Sequence, residues 1–346
     1  MLSLVGVTKL VGRETHIAPT DLELAPGTLN VLLGPTRSGK TTLLRLMAGL
    51  ERPTAGRVIV DGVDVTGVPV SSRRVAMVYQ EFINYPAMTV YENIASPLRV
   101  AKAPAAEIDA KVRRAADLLR LTPYLGRMPL SLSGGQQQRT ALARAIVKGA
   151  GLVLLDEPLA NLDYKLREEL RAELPRLFAE SGAILVYATT EPTEALLLGG
   201  STATLHEGRV TQFGPTLDVF RRPRDLITAR LFSDPPLNTL SVVMRGGVIS
   251  APGLPALPTP ALPDGDYVMA VQPRHLRLAG EGPLMRGRVT VTEITGSESY
   301  IHVDLGDASW VVQAAGVQEH ALGSEVGVRI DPARLMFFGL DGQVVA

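Results

Sequence analysis

Apolar residues follow two different periods along the first two thirds of the chain. Two continuous β-prone runs, 28–33 and 151–155, are typical of strands that are buried on both faces of a sheet. Apolar residues at helical spacing over 41–50 follow the first run, and a helix-like stretch over 136–148 precedes the second. Strands of this kind in alternation with helices predict an α/β fold for residues 1–235.

The pattern changes after residue 235. A proline-rich stretch over 251–263 cannot form a helix or a central strand. Beyond it, short alternating runs bounded by Gly and Asp predict strands over 267–271, 287–292, 300–305, 310–312 and 326–330. Strands at this spacing predict a small all-β, OB-like barrel, so we expect two domains, 1–235 and 236–346. The runs lack the interleaved basic and aromatic residues of a stacking groove, so nucleic acid is not an expected partner.

The segment between the first predicted strand and its helix has the composition of a phosphate-binding loop. Gly34, four further residues, Gly39, Lys40 and Thr41 have the spacing at which backbone N–H groups turn inward around phosphate oxygens. Lys40 is expected to reach the β and γ phosphates, and the Thr41 hydroxyl is expected to ligate Mg²⁺. The candidate nucleotide-binding residues of this loop are Gly34, Pro35, Thr36, Arg37, Ser38, Gly39, Lys40, Thr41 and Thr42.

A pair of acids follows the second predicted strand. The run 151–155 delivers Asp156 and Glu157 to the strand end, where acids meet the phosphates. Asp156 can hold Mg²⁺ through its water shell, because Mg²⁺ dehydrates reluctantly. Glu157 can polarise the attacking water as a general base.

A second helix N-terminus also has residues that suit a phosphate. Ser133, Gly134 and Gly135 stand before the helix-like stretch that begins at Gln136. One nucleotide site does not need two phosphate cradles, so the second is expected to serve the nucleotide of another subunit. An ordinary turn with a helix cap is the alternative interpretation of these residues taken alone.

These segments occur in the order found in the ATP-binding subunits of ABC transporters, which residues 1 to about 235 resemble. The resemblance rests on the phosphate loop, Gln80 after the strand 74–79, the signature 132–136, the pair Asp156 and Glu157, and the segment 160–163. It implies a P-loop NTPase fold with a helical subdomain at about 84–150, and it implies ATP and Mg²⁺ as ligands. It further implies that Gln80 contacts Mg²⁺ and the attacking water. Residues implied to contact the ATP of a partner subunit are Ser133, Gly134, Gly135, Gln136 and Asp163.

The same resemblance implies protein partners at a membrane. The segment from Phe82 to Tyr91 lies where the family docks a membrane subunit, and its aromatic and apolar side chains fit an interface. Buried packing inside the helical subdomain is the alternative explanation of those side chains. The implied partners are two membrane-spanning permease subunits and an extracytoplasmic solute-binding protein. No apolar run approaches the roughly 20 residues that span a bilayer, so we expect a peripheral protein on the cytoplasmic face of the inner or plasma membrane.

Three positions depart from the family pattern. The family has a histidine at the position of Thr190, where it contacts the γ-phosphate and holds the catalytic carboxylate, and threonine is too short to do so. An adenine-stacking aromatic is replaced by Val11, and a glycine of the phosphate loop is replaced by Arg37. Because Glu157 and Lys40 are retained, we expect an impaired site in a heterodimer with a second, different ATPase subunit. A slowly hydrolysing homodimer and a non-hydrolysing regulatory subunit are the alternatives.

The resemblance extends into the C-terminal third. Residues 271–276 and 335–339 are similar to the regulatory domain of carbohydrate-importer ATPases, which contributes to dimer contacts and sometimes binds regulators. Within that group, residues 82–86 and Thr190 are similar to one ATPase of glycerol or glycerol-phosphate uptake systems that use two different ATPase chains. The expected solute is therefore a sugar or a polyol, with glycerol or glycerol phosphate favoured.

Composition narrows the function classes further. The chain has 35 Lys and Arg residues against 35 Asp and Glu residues, so no global field attracts nucleic acid or anionic lipid. It has no cysteine, which excludes disulfides and thiolate metal sites. Four of its five histidines lack a second ligand at metal spacing, and His302 alternates within a strand; all five are interpreted as surface or core residues. A soluble ABC-type protein of DNA repair or translation would need a long coiled-coil insertion or a second cassette, which this chain lacks.

Overall fold

The computed structural model divides into two compact units, Met1–Val219 and Phe220–Ala346. It describes residues 1–160, 162–180, 182–255, 257, 262–279, 281 and 284–345. Part of the predicted proline-rich stretch and Asn161, in the predicted crossing segment 160–163, lie outside the described residues. The domain boundary predicted at residue 235 falls within the second unit.

The first unit alternates strands and helices, as the apolar pattern predicts. Its strands are β1 (Leu2–Val11), β2 (Glu14–Leu24), β3 (Leu29–Leu33), β4 (Ala55–Val60), β5 (Val63–Asp64), β6 (Val75–Val78), β7 (Leu152–Asp156), β8 (Ile184–Thr189), β9 (Ser201–His206) and β10 (Arg209–Pro215). Its helices are α1 (Lys40–Ala48), α2 (Val90–Val100), α3 (Ala105–Leu118), α4 (Gly134–Val147), α5 (Tyr164–Glu180) and α6 (Pro192–Leu198), and α7 (Thr216–Arg221) spans the junction of the units.

The strands of this unit form two sheets over the described residues. One is antiparallel, in the order β2-β1-β4-β5, and the other has the order β10-β9-β3-β8-β7-β6. In the second sheet the pairs β3–β8, β3–β9, β7–β8 and β6–β7 are parallel, with Leu33 opposite Thr189 and Asp156 opposite Ala188. Parallel register places the carboxyl ends of β3, β7 and β8 at one edge, which is where open α/β sheets bind ligands.

The central strands are mostly apolar, as is typical of strands that are covered on both faces. Leu32, Leu154 and Val186 have no exposed surface, and α1 adds Leu43 and Met47 to the same core. Full burial of such a side chain contributes about 1.5–3 kcal/mol. The core therefore fixes β3 and α1 against each other and holds the loop between them in place.

The predicted helical subdomain, at about 84–150, contains α2, α3 and α4. A capping box starts α2: the Thr89 hydroxyl accepts from the Glu92 backbone N–H at 3.2 Å, and the Glu92 carboxylate accepts from the Thr89 N–H at 2.8 Å. The sequence signal is a threonine followed three residues later by a glutamate. The box satisfies two backbone donors that the helix cannot pair internally.

The second unit is β-rich, and its strands pair antiparallel. They are β11 (Asn238–Arg245), β12 (Val248–Ser250), β13 (Gly265–Val271), β14 (Leu276–Leu278), β15 (Met285–Ile294), β16 (Glu298–Asp304), β17 (Ser309–Ala315), β18 (Glu325–Ile330) and β19 (Met336–Phe338), and the helix α8 (Leu226–Leu231) precedes them. Over the described residues they form the sheets β12-β11-β13-β19 and β14-β18-β15-β16-β17, which share one hydrophobic core.

One polar clamp joins these two sheets. The Asn238 side chain donates to the Val311 carbonyl at 2.8 Å and accepts from the Val311 N–H at 2.7 Å. Beside it, the buried Trp310 donates its indole N–H to the Thr239 carbonyl at 3.1 Å. The two sheets thus enclose a common interior, and the predicted C-terminal all-β, OB-like domain is confirmed. Within the part of the chain that the structure describes, no helix is long and apolar enough to cross a bilayer.

Candidate nucleotide site

The phosphate loop runs from the end of β3 to the start of α1. Gly39 has φ 103°, and a Cβ at this position would lie 2.9 Å from Ile17 Cδ1, so only glycine fits. The Lys40 side chain is folded back over the loop, where Nζ donates to the carbonyls of Gly34 and Pro35 at 2.8 and 3.0 Å. Burial lowers the pKa of Lys40, and the carboxylates of the site oppose that shift.

Ser38 has a buried hydroxyl inside this loop. Its side chain is 2% exposed, and its Oγ has no hydrogen-bond partner among the described residues. A buried polar atom without a partner costs about 1–3 kcal/mol unless a ligand satisfies it. An oxygen-rich anion in the loop would accept from this hydroxyl, so the cradle fits a phosphate.

Thr41 and Asp156 meet across the edge of the sheet. The Thr41 hydroxyl, in the first turn of α1, donates to Asp156 Oδ2, at the end of β7, at 2.7 Å. Burial raises the pKa of Asp156, while the Thr41 hydrogen bond and Lys40 lower it. Hard oxygen ligands of this kind suit Mg²⁺, so the predicted pair fits the ion.

Glu157 lies directly above Lys40. Its Oε1 is 3.8 Å from Lys40 Nζ, and its Oε2 accepts from the Gln80 amide at 3.2 Å. Its backbone has φ 46°, a left-handed conformation that is uncommon for a residue other than glycine and that clusters at functional sites. Burial is the main cause that raises the pKa of Glu157, and Lys40 opposes it. A half-buried carboxylate with a raised pKa suits a general base.

A cleft of ≈ 610 Å³ opens above these groups. Predicted residues that line it are Thr36, Arg37, Gly39, Lys40, Thr41, Thr42, Gln80 and Glu157. It also has a side wall that no sequence motif predicted, formed by Glu14, Thr15, His16, Glu207 and Gly208. No sequence motif marks this wall, because contacts between distant parts of the chain bring it to the phosphate loop. One of these contacts is the hydrogen bond from the Gly208 N–H to the Ser38 carbonyl, at 2.9 Å.

Two predicted positions do not themselves line this cleft. Val11, at the end of β1, is 49% exposed, and Thr190 is exposed after the end of β8; neither is among the described residues that line the cleft. Arg37 does line it, with φ 66°. A left-handed conformation costs a non-glycine residue about 1–2 kcal/mol, so the glycine of the family pattern would fit this position without strain.

The loop that carries Thr190, residues 189–191, is held from behind by a buried network. The Thr189 hydroxyl donates to Glu194 Oε2 at 2.7 Å and accepts from the Glu191 N–H at 3.0 Å. The Tyr187 hydroxyl donates to the same carboxylate oxygen at 3.1 Å, and burial raises the pKa of Tyr187. The network fixes the loop although the side chain at position 190 is short.

The signature residues lie elsewhere on this unit. Ser133 caps α4: its hydroxyl accepts from the Gln136 N–H at 3.4 Å, and its N–H donates to Gln136 Oε1 at 3.0 Å. Gly135 is half-buried, and Ser133, Gly134 and Asp163 are exposed. None of these five lies among the described residues that line the cleft. Asp163 accepts from the Leu166 N–H at 3.0 Å and caps α5.

The segment from Phe82 to Tyr91 exposes apolar surface. The side chains of Ile83 and Tyr85 are 55% and 47% exposed. The Arg144 guanidinium lies 4.8 Å from the centre of the Tyr85 ring and donates to the Ile83 carbonyl at 2.6 Å. The segment is therefore anchored to α4 while its apolar tips face outward.

Family models match both units. Residues 17–160 match the ABC transporter family, and residues 269–338 match the TOBE domain. A dimeric ATP-binding cassette, solved in a post-hydrolysis state with ADP and Pi, is 27% identical, with a TM-score of 0.57 over 62% of this chain and 99% of that chain.

Curated relatives are similar over nearly the whole length. The alpha-glucoside transport ATP-binding protein AglK of Rhizobium meliloti (strain 1021) is 36% identical over 99% of this chain and 98% of its own. The trehalose/maltose import ATP-binding protein MalK of Thermococcus litoralis is 36% identical over 97% and 96%. The sn-glycerol-3-phosphate import ATP-binding protein UgpC of Paracoccus denitrificans is 36% identical over 92% and 91%. The chain therefore belongs to the ATP-binding proteins of ABC transporters, and it is an ABC-type ATPase with a C-terminal TOBE domain.

Proposed function

We propose that this chain hydrolyses ATP to drive the import of a sugar or a polyol, with glycerol or glycerol phosphate favoured. The observation that carries the proposal is the convergence of Lys40, Thr41, Asp156, Glu157 and Gln80 at the sheet edge. The relatives with near full-length similarity are named for transport or import.

The residues of the site divide the work of hydrolysis. Lys40 exchanges its carbonyl partners for the β and γ phosphates, and Ser38 donates its hydroxyl to a phosphate oxygen. Thr41 and Asp156 would hold Mg²⁺, which neutralises phosphate charge when bound. Glu157 takes a proton from the attacking water, and Gln80, 3.2 Å from its carboxylate, orients that water.

The same proposal includes an unequal pair of ATPase subunits. Thr190 is exposed and short, so position 190 of this chain does not supply a side chain that reaches the γ-phosphate. Ser133 and Gly135 are retained at a helix N-terminus outside their own cleft, where they would complete the site of a different subunit. A homodimer that hydrolyses slowly is the competing arrangement.

The partners follow from the exposed surface. The outward-facing Ile83 and Tyr85 would contact a permease subunit, and a pair of permeases would receive solute from an extracytoplasmic binding protein. The chain would lie at the cytoplasmic face of the membrane, bound through these partners. The solute class rests on the names of three relatives, which are all 36% identical to this chain but are named for different solutes. The narrower preference for glycerol or glycerol phosphate rests on the similarity of residues 82–86 and Thr190.

Uptake in the native host tests this function. Deletion of the gene is expected to abolish uptake of one labelled solute among glycerol, glycerol phosphate, maltose and trehalose, and the wild-type gene restores it. A Lys40→Ala copy that assembles normally but does not restore uptake supports an active role for this site. Full restoration by Lys40→Ala would favour the regulatory alternative, and unchanged uptake of all four solutes would overturn the solute class.

A further inference from the structure

Within the described part of the chain, six residues other than glycine have a left-handed backbone: Arg37, Asp61, Lys102, Arg120, Glu157 and Glu207. Asp61 and Glu207 lie in two-residue turns between antiparallel strands, where this conformation is usual. Lys102 and Arg120 lie just beyond the ends of α2 and α3, and helices commonly end at a left-handed residue. The other two, Arg37 and Glu157, both line the nucleotide cleft.

The conformation of Arg37 is strained, and no contact inside the first unit offsets that strain. Its φ is 66°, in the loop between β3 and α1, where glycine would fit without a steric cost. The Arg37 side chain is exposed and makes no hydrogen bond or ion pair with a described residue. Strained residues that persist without a structural reason cluster at ligand sites, so the arginine points to a ligand.

The charges around the cleft indicate the chemistry of that ligand. Three glutamates line the cleft, and Arg37 and Lys40 are the lysine and arginine residues among its described lining. Lys40 is already hydrogen-bonded to two carbonyls and lies 3.8 Å from Glu157. The guanidinium of Arg37 is therefore the open cationic group of the two, and its fixed fork of N–H donors matches the oxygens of a phosphate.

We propose that the Arg37 guanidinium is a clamp on the phosphate chain of the bound nucleotide. The inference rests on the proposed function, because the ligand is the nucleotide of the ATPase. Arg37 donates to phosphate oxygens from the exposed side of the loop, while Lys40 and the loop N–H groups hold them from the buried side. The strain thus lowers the stability of the free chain, and the clamp raises its affinity for phosphate. The clamp does not hold Glu157 or the attacking water, so the expected effect of Thr190 on turnover is separate.

Replacement of Arg37 by glycine removes the charge and the strain together. In a Glu157→Gln background that prevents turnover, Kd is measured by calorimetry for Mg-ATP and for Mg-tripolyphosphate. Arg37→Gly is expected to weaken both ligands by about fivefold or more and by similar factors, because a charged hydrogen bond is lost and the base takes no part. The urea midpoint of the same variant should rise. Arg37→Lys keeps a charge at the same place and should restore part of the affinity for both ligands.

Lys102→Gly is the matched control. Lys102 is also exposed, has φ 57°, makes no side-chain hydrogen bond or ion pair with a described residue, and lies outside the cleft lining. This variant should leave both constants unchanged and should raise the urea midpoint as Arg37→Gly does. The loss of affinity in Arg37→Gly, relative to the unaltered arginine, should shrink between about 0.05 and about 0.5 M KCl, because salt screens an exposed charge.

Unchanged binding of both ligands in Arg37→Gly would overturn the proposal. Weaker binding of Mg-ATP alone would also overturn it, since the contact would then be with the nucleoside. Weaker binding together with a lower urea midpoint would indicate damage to the loop, and an equal loss in Lys102→Gly would indicate an effect of net charge; either result contradicts the clamp. Failure of the unaltered chain to bind tripolyphosphate or ATP would contradict the proposed function itself.

Discussion

The phosphate floor of the cleft and the groups around it differ in how closely they follow the family pattern. In the floor, residues 34–42 with Asp156 and Glu157, Lys40 and Thr41 are hydrogen-bonded, Lys40 is paired with Glu157, and only Arg37 departs from the pattern. In the surroundings, the family pattern predicts an aromatic at the position of Val11 and a histidine at the position of Thr190. Under the proposed function, binding and activation of phosphate are retained, while the contacts with the base and with the transferred phosphate are weaker. If the proposal holds, the comparison teaches that a site can weaken at its periphery without loss of its chemistry.

Removal of the general base is the largest expected effect on the floor. Glu157→Gln should reduce ATP hydrolysis by at least about 100-fold, because the amide cannot accept the proton of the attacking water. Phosphate release under single-turnover conditions measures this rate. Glu207→Gln is the matched control, because Glu207 also lines the cleft and also has φ 46°, and its rate should stay near that of the wild type.

The pH profile checks the same assignment. Burial raises the pKa of Glu157 above its ordinary 4.5. A general base must be ionised, so hydrolysis should fall as pH drops through the raised pKa, and the acid limb should lie above pH 4.5. An acid limb at or below the ordinary value would speak against this environment for Glu157.

Removal of the loop lysine is the next effect in size. Lys40→Ala should weaken the binding of both Mg-ATP and Mg-tripolyphosphate by about 10- to 100-fold, since charged hydrogen bonds contribute about 1.5–3 kcal/mol. Calorimetry measures both constants. The control is Lys148→Ala, which removes another lysine whose Nζ donates to a backbone carbonyl, that of Val75 at 2.7 Å. Equal losses in the two variants would mean that Lys40 acts through the fold alone.

Disruption of the hydrogen-bond network behind the loop 189–191 is expected to have a smaller effect than the two changes above, and the effect should be on stability. Thr189→Val removes the hydroxyl that joins Glu194 to the Glu191 N–H, and it should lower the free energy of unfolding by about 1–3 kcal/mol. Hydrolysis should change less than twofold, because Lys40, Glu157 and Gln80 keep their mutual contacts. Urea unfolding of the variant and of Thr189→Ser, which keeps the hydroxyl, measures the difference. A large loss of hydrolysis in Thr189→Val alone would show that this loop already contributes to turnover.

The sequence predicts the floor far better than the side wall, and the reason is physical. Lys40, Thr41 and Asp156 lie in short segments at strand ends, and parallel pairing brings strand ends together without further information. His16 and Glu207 are brought to the loop by contacts between distant parts of the chain, such as the hydrogen bond from Gly208 to Ser38, which no local pattern marks. The interpretation of His16 as a surface or core residue considered only metal ligation and therefore missed its place at the cleft.

The second unit shows the same limit. Period-two alternation predicted five of its strands, and β13, β15, β16, β17 and β18 lie at those places. Alternation does not specify which strands pair, so the division into two sheets and the clamp from Asn238 to Val311 required the structure. The local pattern predicts which residues of a strand face the core. Which strands pair with each other depends on contacts between residues that are distant in the chain.

The central claim is that the own site of this chain is competent but weakened at Thr190. The most direct test compares single-turnover and steady-state ATP hydrolysis by the purified chain and by Thr190→His at saturating Mg-ATP. A rise of about tenfold or more, equal to about 1.4 kcal/mol of barrier, is the predicted result. Brisk hydrolysis by the unaltered chain that Glu157→Gln abolishes and Thr190→His leaves unchanged would contradict the claim, and with it the unequal pair.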